Sequence, residues 1–492
     1  MNYISTRGTG ASVSSAQAIK QGLANDGGLF VPESLPTLSQ ADLATLCTLS
    51  YPERAARVLS LFLTDYTEEE LLADCRAAYS DTSFVGGTAP LVSTHDPIDV
   101  MELWHGPTAA FKDMALQIMP RLLSRALRKT GEKREALILV ATSGDTGKAA
   151  LEGYRDIPQI KMIVFYPVDG VSRVQKLQMA TQLGENVNVC AIRGNFDDAQ
   201  NGVKKIFSDP DIAEKLNQAG YFLSSANSIN WGRLAPQIVY YISAYCDLIN
   251  AGKRKMGEPM NVCVPTGNFG NIFAAYLAKR MGLPIRKLIC ASNSNNILTD
   301  FLETGVYDRN RQFHLTMSPS MDILISSNLE RLLWFVAGPE KTASYMKQLR
   351  ETGRYAVEPE ILSAIQADFV GYYADETATA ETIRFTWEQD KYLADTHTAV
   401  ALCAAEQYLK NTADRIPLVV DSTASPYKFA NNVYHSITGK NPSGDLEALE
   451  ELSALTNTKI PYPLAELASR AIRFRDVCNR EEMAQKVLDF AK

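Results

Sequence analysis

Residues 139–150 read Leu139-Val140-Ala141-Thr142-Ser143-Gly144-Asp145-Thr146-Gly147-Lys148-Ala149-Ala150. An apolar run ends in small hydroxyl residues and glycines and then continues as alanine-rich sequence, which predicts a strand, a tight loop and a helix. Such a loop points main-chain amides into one spot, and the N-terminal end of the helix adds positive potential there. The loop is expected either to bind a carboxylate or phosphate or to be an ordinary turn with Asp145 as the helix cap.

The same stretch does not have the spacing of a nucleotide-binding P-loop, although Gly147-Lys148 resembles its end. Thr142 stands where the first glycine of that motif is required, and Ala149 replaces the hydroxyl residue that would hold magnesium. A nucleoside triphosphate site is therefore excluded at this loop.

A second loop of the same character occurs farther along the chain. Residues 262–275 read Val262-Cys263-Val264-Pro265-Thr266-Gly267-Asn268-Phe269-Gly270-Asn271-Ile272-Phe273-Ala274-Ala275. Gly267 and Gly270 permit the main chain to approach a phosphate closely, while Asn268 and Asn271 add side-chain donors or helix caps. The two glycines stand three apart with no third member, so this is not the dinucleotide-binding fingerprint. Taken alone, the motif also fits a plain strand-to-helix turn.

Both loops belong to an alternation of short apolar runs and helical patterns that begins after residue 90. The runs predict strands at residues 136–141, 162–166, 187–192, 221–223, 261–264, 288–291 and 418–420. Many are rich in Val and Ile and too short for helices, which is typical of buried parallel strands. Residues before 90 instead show helical apolar spacing and end at the turn sequence 86–90. We therefore expect an α/β fold with a helical N-terminal part.

The composition narrows the class of protein. The 492 residues suggest two or three domains, and 46% hydrophobic with 21% charged residues is ordinary for a globular protein. A net charge of -7 argues against a nucleic-acid partner. The first residues contain no apolar core of signal-peptide length, and the apolar runs are too short to span a bilayer. Eight cysteines without a Cys-x-x-Cys pair favour a cytoplasmic enzyme with reduced thiols, and the five histidines show no metal-type pairing.

One lysine stands out against this background. Residues 104–113 read Trp104-His105-Gly106-Pro107-Thr108-Ala109-Ala110-Phe111-Lys112-Asp113, so Lys112 ends a small, mostly uncharged stretch before a helical run. Loss of solvation there would disfavour the ammonium form and make the amine a nucleophile, as a Schiff base with pyridoxal phosphate requires. A solvated surface lysine is the alternative for Lys112 alone. Two anion-type loops in the same chain favour the cofactor lysine.

Together, in this order, the motifs resemble those of the threonine synthases, pyridoxal-phosphate enzymes of the tryptophan-synthase-β-like fold. The resemblance is carried by residues 3–7, 26–32, 105–113, 142–147 and 267–271, and it reaches at least Phe429. It implies an α/β fold of the type II pyridoxal-phosphate class, with two open twisted lobes and a helical N-terminal domain. It also implies an N-terminal domain (1–90), a catalytic body (91–430) and a C-terminal helical segment (431–492).

The resemblance further assigns residues to the cofactor and the substrate. Lys112 is implied to form the Schiff base and then to move protons, and Thr423 is implied to bond the pyridine nitrogen. A strand-end cap is the alternative for Thr423, and surface charge is the alternative for each cation. The implied partners of the cofactor phosphate are Gly267, Asn268, Phe269, Gly270 and Asn271. The implied substrate-binding residues are Thr142, Ser143, Asp145, Thr146, Ser172, Arg173, Asn227, Asn230 and Arg233.

The reaction implied by the resemblance is that of a carbon–oxygen lyase. O-phospho-L-homoserine and water would become L-threonine and phosphate by γ-elimination and β-addition, the last step of threonine biosynthesis. Two alternatives stay open: a threonine or serine dehydratase of the same fold, and a non-catalytic phospho-amino-acid-binding relative. The expected partner is the small substrate, with no nucleic acid and no membrane, and the chain is expected to be a monomer or a small homo-oligomer.

Overall fold

The computed structural model describes residues 1–8, 10–142, 144–168 and 171–492. The strands, in chain order, are β1 Asn2–Ser5, β2 Val13–Ser14, β3 Phe30–Pro32, β4 Leu91–Ser93, β5 Ile98–Glu102, β6 Glu135–Ala141, β7 Ile160–Pro167, β8 Val187–Ile192, β9 Tyr221–Ser224, β10 Met260–Pro265, β11 Ile285–Ser292, β12 Val306–Asp308, β13 Arg354–Ala356, β14 Phe369–Tyr373, β15 Leu418–Ser422 and β16 Val477–Cys478.

The helices, in chain order, are α1 Ser15–Gln21, α2 Gln40–Cys47, α3 Tyr51–Phe62, α4 Glu68–Ala78, α5 Asp113–Leu116, α6 Met119–Lys129, α7 Asp145–Tyr154, α8 Arg173–Ala180, α9 Phe196–Ser208, α10 Pro210–Gln218, α11 Trp231–Asn250, α12 Gly270–Arg280, α13 Ile297–Thr304, α14 Leu329–Thr352, α15 Pro359–Asp368, α16 Glu376–Asp390, α17 Thr396–Thr412, α18 Ala430–Thr438, α19 Glu447–Thr456, α20 Tyr462–Ala465 and α21 Met483–Phe490. Short 3₁₀ turns lie at Pro319–Met321, Pro426–Phe429 and Arg480–Glu482.

Two sheets form the body of the molecule. The larger has the order β14-β11-β10-β15-β5-β4 and is parallel up to the antiparallel edge strand β4. The smaller has the order β16-β8-β7-β6-β9 and is parallel throughout. Each of the seven strands predicted from the sequence lies in one of these two sheets, so the α/β prediction is confirmed.

The strands are apolar on both faces because helices cover both faces of a parallel sheet. Every residue of β10 is buried, for example. The 20-residue helix α11 is likewise buried along nearly its whole length, as expected for a helix surrounded by protein. It packs against α3 on one side and α12 on the other, so it joins the N-terminal region to the body.

The N-terminal region contains the predicted helices and also a small antiparallel sheet, β2-β1-β3, that the helical spacing did not indicate. Arg54 of α3 forms an ion pair with Asp247 of α11 at 2.8 Å, and Arg7 binds Glu330 of α14 at 3.0 Å. At the other end of the chain, β16 pairs with β8 and extends the smaller sheet. The proposed domain division at residues 90 and 430 stays a prediction. Within the described ranges, each helix is too short or too polar to serve as a membrane span.

Gly153 allows α7 to lie directly against the helix that follows Lys112. A Cβ atom added at Gly153 would stand 1.8 Å from the Leu116 carbonyl oxygen, and main chain cannot move aside as a flexible side chain can. We expect Gly153→Ala to lower the free energy of unfolding by about 1–3 kcal/mol, measured by denaturant titration. Gly232→Ala is the matched control, because its new Cβ would meet neighbours only at 3.3 Å and beyond. Equal effects of the two substitutions would contradict the argument.

Candidate active site

Three segments predicted to bind a cofactor follow three adjacent strands of the larger sheet. Lys112 lies after β5, the loop Gly267–Asn271 lies after β10, and Thr423 follows β15, which runs between those two strands. Because the carboxyl ends of parallel strands meet at one edge of a sheet, the three segments come together there. This is where open α/β sheets bind ligands.

Main-chain hydrogen bonds fasten the lysine segment to the Thr423 segment. The Phe111 amide donates to the Thr423 carbonyl at 2.8 Å, and the Ser425 amide donates to the Ala109 carbonyl at 3.1 Å. The position of Lys112 relative to Thr423 is therefore set by the main chain. The Thr423 hydroxyl forms no hydrogen bond with any other described residue, so it is available to a ligand.

The Lys112 amine lies in a poorly solvated environment that contains both cations and anions. Burial lowers the pKa of Lys112 to about 8, nearby Lys428 and Arg233 act in the same direction, and Asp145 opposes them. The amine donates to the Ser320 hydroxyl at 3.5 Å and lies 4.9 Å from the centre of the Phe111 ring. These are the conditions under which a lysine becomes a nucleophile at neutral pH.

The loop after β10 is shaped to receive an anion. The amides of Gly267, Asn268 and Phe269 donate to no acceptor in the described part of the chain, and they lie at the N-terminal end of the 11-residue helix α12. Phe269 adopts a left-handed conformation, with φ of 61°, which turns the loop into the helix. A Cβ atom at Gly267 would stand 2.6 Å from the Ser320 carbonyl oxygen, so the loop needs glycine there.

Asn271 is the second residue of α12, and its side chain points into the protein. Its amide nitrogen donates to Asp421 Oδ2 at 3.0 Å, and its amide oxygen accepts from the Tyr240 hydroxyl. The Tyr241 hydroxyl lies 2.6 Å from both that amide oxygen and Asp421 Oδ2. Asn271 therefore offers its main-chain amide to the loop, while its side chain joins α11, α12 and β15. Gly270 stands beside it at the first position of the helix, with the Asn328 side chain 3.2 Å from where a Cβ would be.

Asp421 gives this buried network a pH dependence. Burial raises its pKa to about 7, although hydrogen bonds from Tyr241 and Asn271 oppose the shift, and Oδ1 has no partner among the described residues. In the unfolded chain an aspartate carboxyl has a pKa of about 4. The protonated form of Asp421 therefore stabilises the fold fully below that pH, and this stabilisation is lost as the pH rises through about 7. We expect the Tm of Asp421→Asn, relative to the unchanged protein, to rise by roughly a few degrees between pH 5 and pH 8.

Asp414→Asn is the control for that measurement. Burial acts to raise the pKa of Asp414, but hydrogen bonds from Tyr408 and other neighbours lower it below its usual value. The charged form of Asp414 therefore stabilises the fold at both pH values. A gain of stability at pH 8 in both variants, or in neither, would contradict the assignment of a protonated Asp421.

The loop after β6 lies near Lys112 through Asp145. The Asp145 carboxylate accepts from Lys428 Nζ and from Gln175 Nε2, each at 2.8 Å. Burial alone would raise the pKa of Asp145, but Lys428 and Lys112 hold it well below its usual range. Asp145 therefore stays ionised and fixes the position of Lys428.

The remaining residues of that loop differ in what they contact. The Thr142 hydroxyl accepts from the Gly144 and Gly147 amides, each at 3.0 Å, so Thr142 shapes the loop. Thr146 is half-buried in the first turn of α7, and Ser143 lies outside the described residues. Lys148 is buried and bound to Glu152 at 2.9 Å.

The segment after β7 contributes Ser172 and Arg173 at the start of α8. Ser172 caps the helix by accepting from the Gln175 amide at 3.2 Å, and Arg173 is exposed. Both residues line a cleft of about 130 Å³ that Lys428 also borders. A larger groove of about 930 Å³ runs along β14 and contains none of the predicted site residues.

The segment after β9 contributes one cation that approaches Lys112. Arg233 is buried, lies close enough to affect the Lys112 amine, and donates from Nη1 to the Ala226 carbonyl at 2.6 Å. Asn230 uses both of its side-chain atoms within the fold, donating to Ile19 O at 2.8 Å and capping α11 through Gly232 N at 2.8 Å. Asn227 is exposed just before this helix.

Sequence reasoning missed three residues that the structure brings to this site. Two of them, Lys428 and Gln175, contact Asp145. The third, Ser320, contacts Lys112. Lys428 lies five positions after Thr423, and this closeness in the sequence was the one feature that could have indicated a place for Lys428 in the site. His105, which lies seven residues before Lys112, binds Glu102 at 2.7 Å and stacks on Trp104, which indicates a structural role.

Comparison with known proteins assigns these segments to families. A profile described as pyridoxal-phosphate dependent enzyme matches residues 95–420, and profiles for the threonine synthase N terminus and C-terminal region match residues 2–79 and 398–488. Threonine synthase from Saccharomyces cerevisiae is 37% identical, with 95% of each chain covered. The crystal structure of pyridoxal-phosphate-bound threonine synthase from Brucella melitensis superposes with a TM-score of 0.89 at 37% identity over 100% of both chains. Threonine synthase-like 1 from Macaca fascicularis is 41% identical over 86% of this chain, which spans 58% of that longer protein.

Proposed function

This chain belongs to the threonine synthase family of pyridoxal-phosphate-dependent enzymes, and we propose that it is a lyase that converts O-phospho-L-homoserine and water to L-threonine and phosphate. The observation that carries the proposal is the half-buried Lys112 side chain, whose amine lies near a loop of free amides and two buried cations, Lys428 and Arg233. The amide loop would bind the phosphate of the cofactor. The two cations would then be available to the carboxylate and to the phosphate of the substrate.

The cofactor is pyridoxal phosphate, and the residues present fit it. Gly267, Asn268 and Phe269 would bind its phosphate through their amides, with Gly270 and Asn271 completing the helix N-terminus. The Thr423 hydroxyl would bond its pyridine nitrogen, and Lys112 would hold it covalently. When bound, the cofactor supplies a carbonyl for the amine and an electron sink for a carbanion.

Side chains of this protein would move the substrate proton and bind the substrate carboxylate and phosphate. Lys112 Nζ would accept the proton from the substrate α-carbon, a role that needs the neutral amine and therefore the lowered pKa. Thr142, Ser143 and Thr146 would face the α-carboxylate, with Asp145 fixing Lys428 beside them. Arg233 would bind the substrate phosphate with Asn227, Ser172 and Arg173 around it, and would hold the leaving group as its bond to the γ-carbon breaks. Asn230 would support Arg233 as the cap of α11, because both of its side-chain atoms are engaged within the fold.

One assay separates the proposed reaction from its alternatives. The purified protein is supplied with O-phospho-L-homoserine, and inorganic phosphate and amino-acid products are measured together. Equal amounts of phosphate and threonine are expected. Formation of 2-oxobutyrate from threonine, without use of the phosphorylated substrate, would indicate a dehydratase. Absence of both turnover and a cofactor absorbance band would indicate a binding protein.

The proposal includes a cytoplasmic location and a monomeric or small homo-oligomeric state. The cysteines support the location, because all eight are free thiols, including Cys190 and Cys478, whose sulfurs are 3.4 Å apart. Cell fractionation and light scattering on the purified chain test the two statements.

A further inference from the structure

Ser320 lies where the lysine, the cofactor loop and α17 meet. It is the middle residue of the 3₁₀ turn Pro319–Met321. Its hydroxyl accepts from Lys112 Nζ at 3.5 Å, its carbonyl lies against Gly267, and its amide donates to His397 Nε2 at 3.1 Å. In the described part of the chain, this hydroxyl is the one hydrogen-bond acceptor of the Lys112 amine.

His397 is held in a single tautomer by its two partners. Because Nε2 accepts a hydrogen bond from the Ser320 amide, that nitrogen carries no proton, and the ring proton is on Nδ1. Nδ1 donates to Asp395 Oδ1 at 2.9 Å. His397 and Asp395 are buried, and the Phe429 ring packs at 4.9 Å from the imidazole, so the ring has little freedom to turn.

Asp395 is fixed in turn by the start of α17. Its carboxylate accepts from the His397 amide at 2.9 Å, the Thr398 amide at 3.3 Å and the Thr398 hydroxyl. The Thr398 oxygen also lies 3.0 Å from Ser422 Oγ, next to Thr423, and accepts the Ser422 proton because its own proton goes to Asp395. A continuous series of buried hydrogen bonds therefore runs from the end of β15 to the Ser320 turn.

We propose that the Ser320 hydroxyl accepts a hydrogen bond from the Lys112 ammonium that forms when Lys112 takes up a substrate proton, and that Asp395 and His397 are positioning residues for Ser320. This rests on the proposed role of Lys112. The ammonium is surrounded by Lys428 of the Pro426–Phe429 turn and Arg233 of α11, with the charges of Asp145 on α7 and Asp113 on α5 as counterions. A half-buried ammonium that lies beside two cations and is poorly solvated needs an acceptor that is already in place.

The test uses the full chain freed of cofactor and measures how fast it captures added pyridoxal phosphate as a function of pH. Capture requires the neutral amine, so the rate should rise with pH through about 8 and then level off. Ser320→Ala removes an acceptor that favours the ammonium, so the midpoint should fall by roughly one pH unit. With substrate, kcat should fall on the order of tenfold while KM stays within about twofold.

Three further variants make the result decisive. His397→Ala should shift the midpoint in the same direction, and His397→Gln should restore it, because a glutamine can accept from Ser320 and donate to Asp395. Ser318→Ala is the matched control: its hydroxyl accepts from Asn293 at 3.0 Å and contacts no lysine. An unchanged midpoint in Ser320→Ala, or an equal shift in Ser318→Ala, would overturn the proposal. Capture needs no phosphohomoserine, so these outcomes are independent of whether that compound is the substrate.

Discussion

Lys112→Ala is expected to lower kcat on the order of 10³-fold or more while leaving the chain folded. The physical reason is that Lys112 has two tasks: it holds the cofactor and it moves the substrate proton. With its pKa at about 8, roughly a tenth of the amine is neutral at pH 7, about 300-fold more than for a lysine with the ordinary value of 10.5. Phosphate release by the purified variant, together with its far-UV circular dichroism, measures the effect.

Borohydride provides an independent check on which lysine is used. Reduction makes a Schiff base permanent, so peptide mapping of the reduced protein should find the cofactor on Lys112 and on no other residue. Lys428 is the alternative lysine that could carry the label, because it is buried near Lys112 and lies 2.8 Å from Asp145. Lys148→Met is the matched control, since Lys148 is also buried but bound to Glu152, and that variant should keep the label. A label on Lys428 would falsify the assignment of Lys112.

Local sequence patterns were sufficient to place seven strands of the two sheets and the loops that follow them. A short Val/Ile-rich run followed by glycine specifies a buried strand and its turn within a dozen residues, as in β6 with the Thr142 loop and β10 with the Gly267 loop. The pattern failed for four strands of the two sheets, namely the short edge strands β4 and β16 and the longer strands β5 and β14. Residues 98–102 include two acidic side chains, and residues 369–373 follow directly on α15, so neither stands out as an isolated apolar run.

The contacts that complete the site could not be predicted because they join distant parts of the chain. Lys428 reaches the Thr108 carbonyl across 320 positions, and Ser320 reaches Lys112 across 208. The same polar residue types also serve as helix caps and as ligands, and the sequence cannot separate the two uses. Asn230 illustrates this, because both of its amide atoms are engaged in capping α11 and binding α1.

Arg233→Lys is expected to lower kcat/KM for O-phospho-L-homoserine by about 10²-fold, with capture of pyridoxal phosphate unchanged. Burial lowers the pKa of Arg233 to about 10, which still leaves the guanidinium charged at neutral pH. One of its nitrogens is fixed by the Ala226 carbonyl at 2.6 Å, and its Nε has no partner among the described residues. The planar group can therefore present further donors to a phosphate dianion, and a lysine ammonium cannot reproduce that geometry.

Arg173→Lys decides which cation binds the phosphate. Arg173 is exposed at the start of α8, where solvent screens its charge, so we expect its replacement to change kcat/KM by less than about fivefold. Inorganic phosphate supplies a second measurement, because it competes for the same position as a product. The inhibition constant for phosphate should rise in Arg233→Lys and stay constant in Arg173→Lys. The reverse pattern would move the phosphate site from the buried end of α11 to the cleft beside α8, and with it the direction in which the leaving group departs from Lys112.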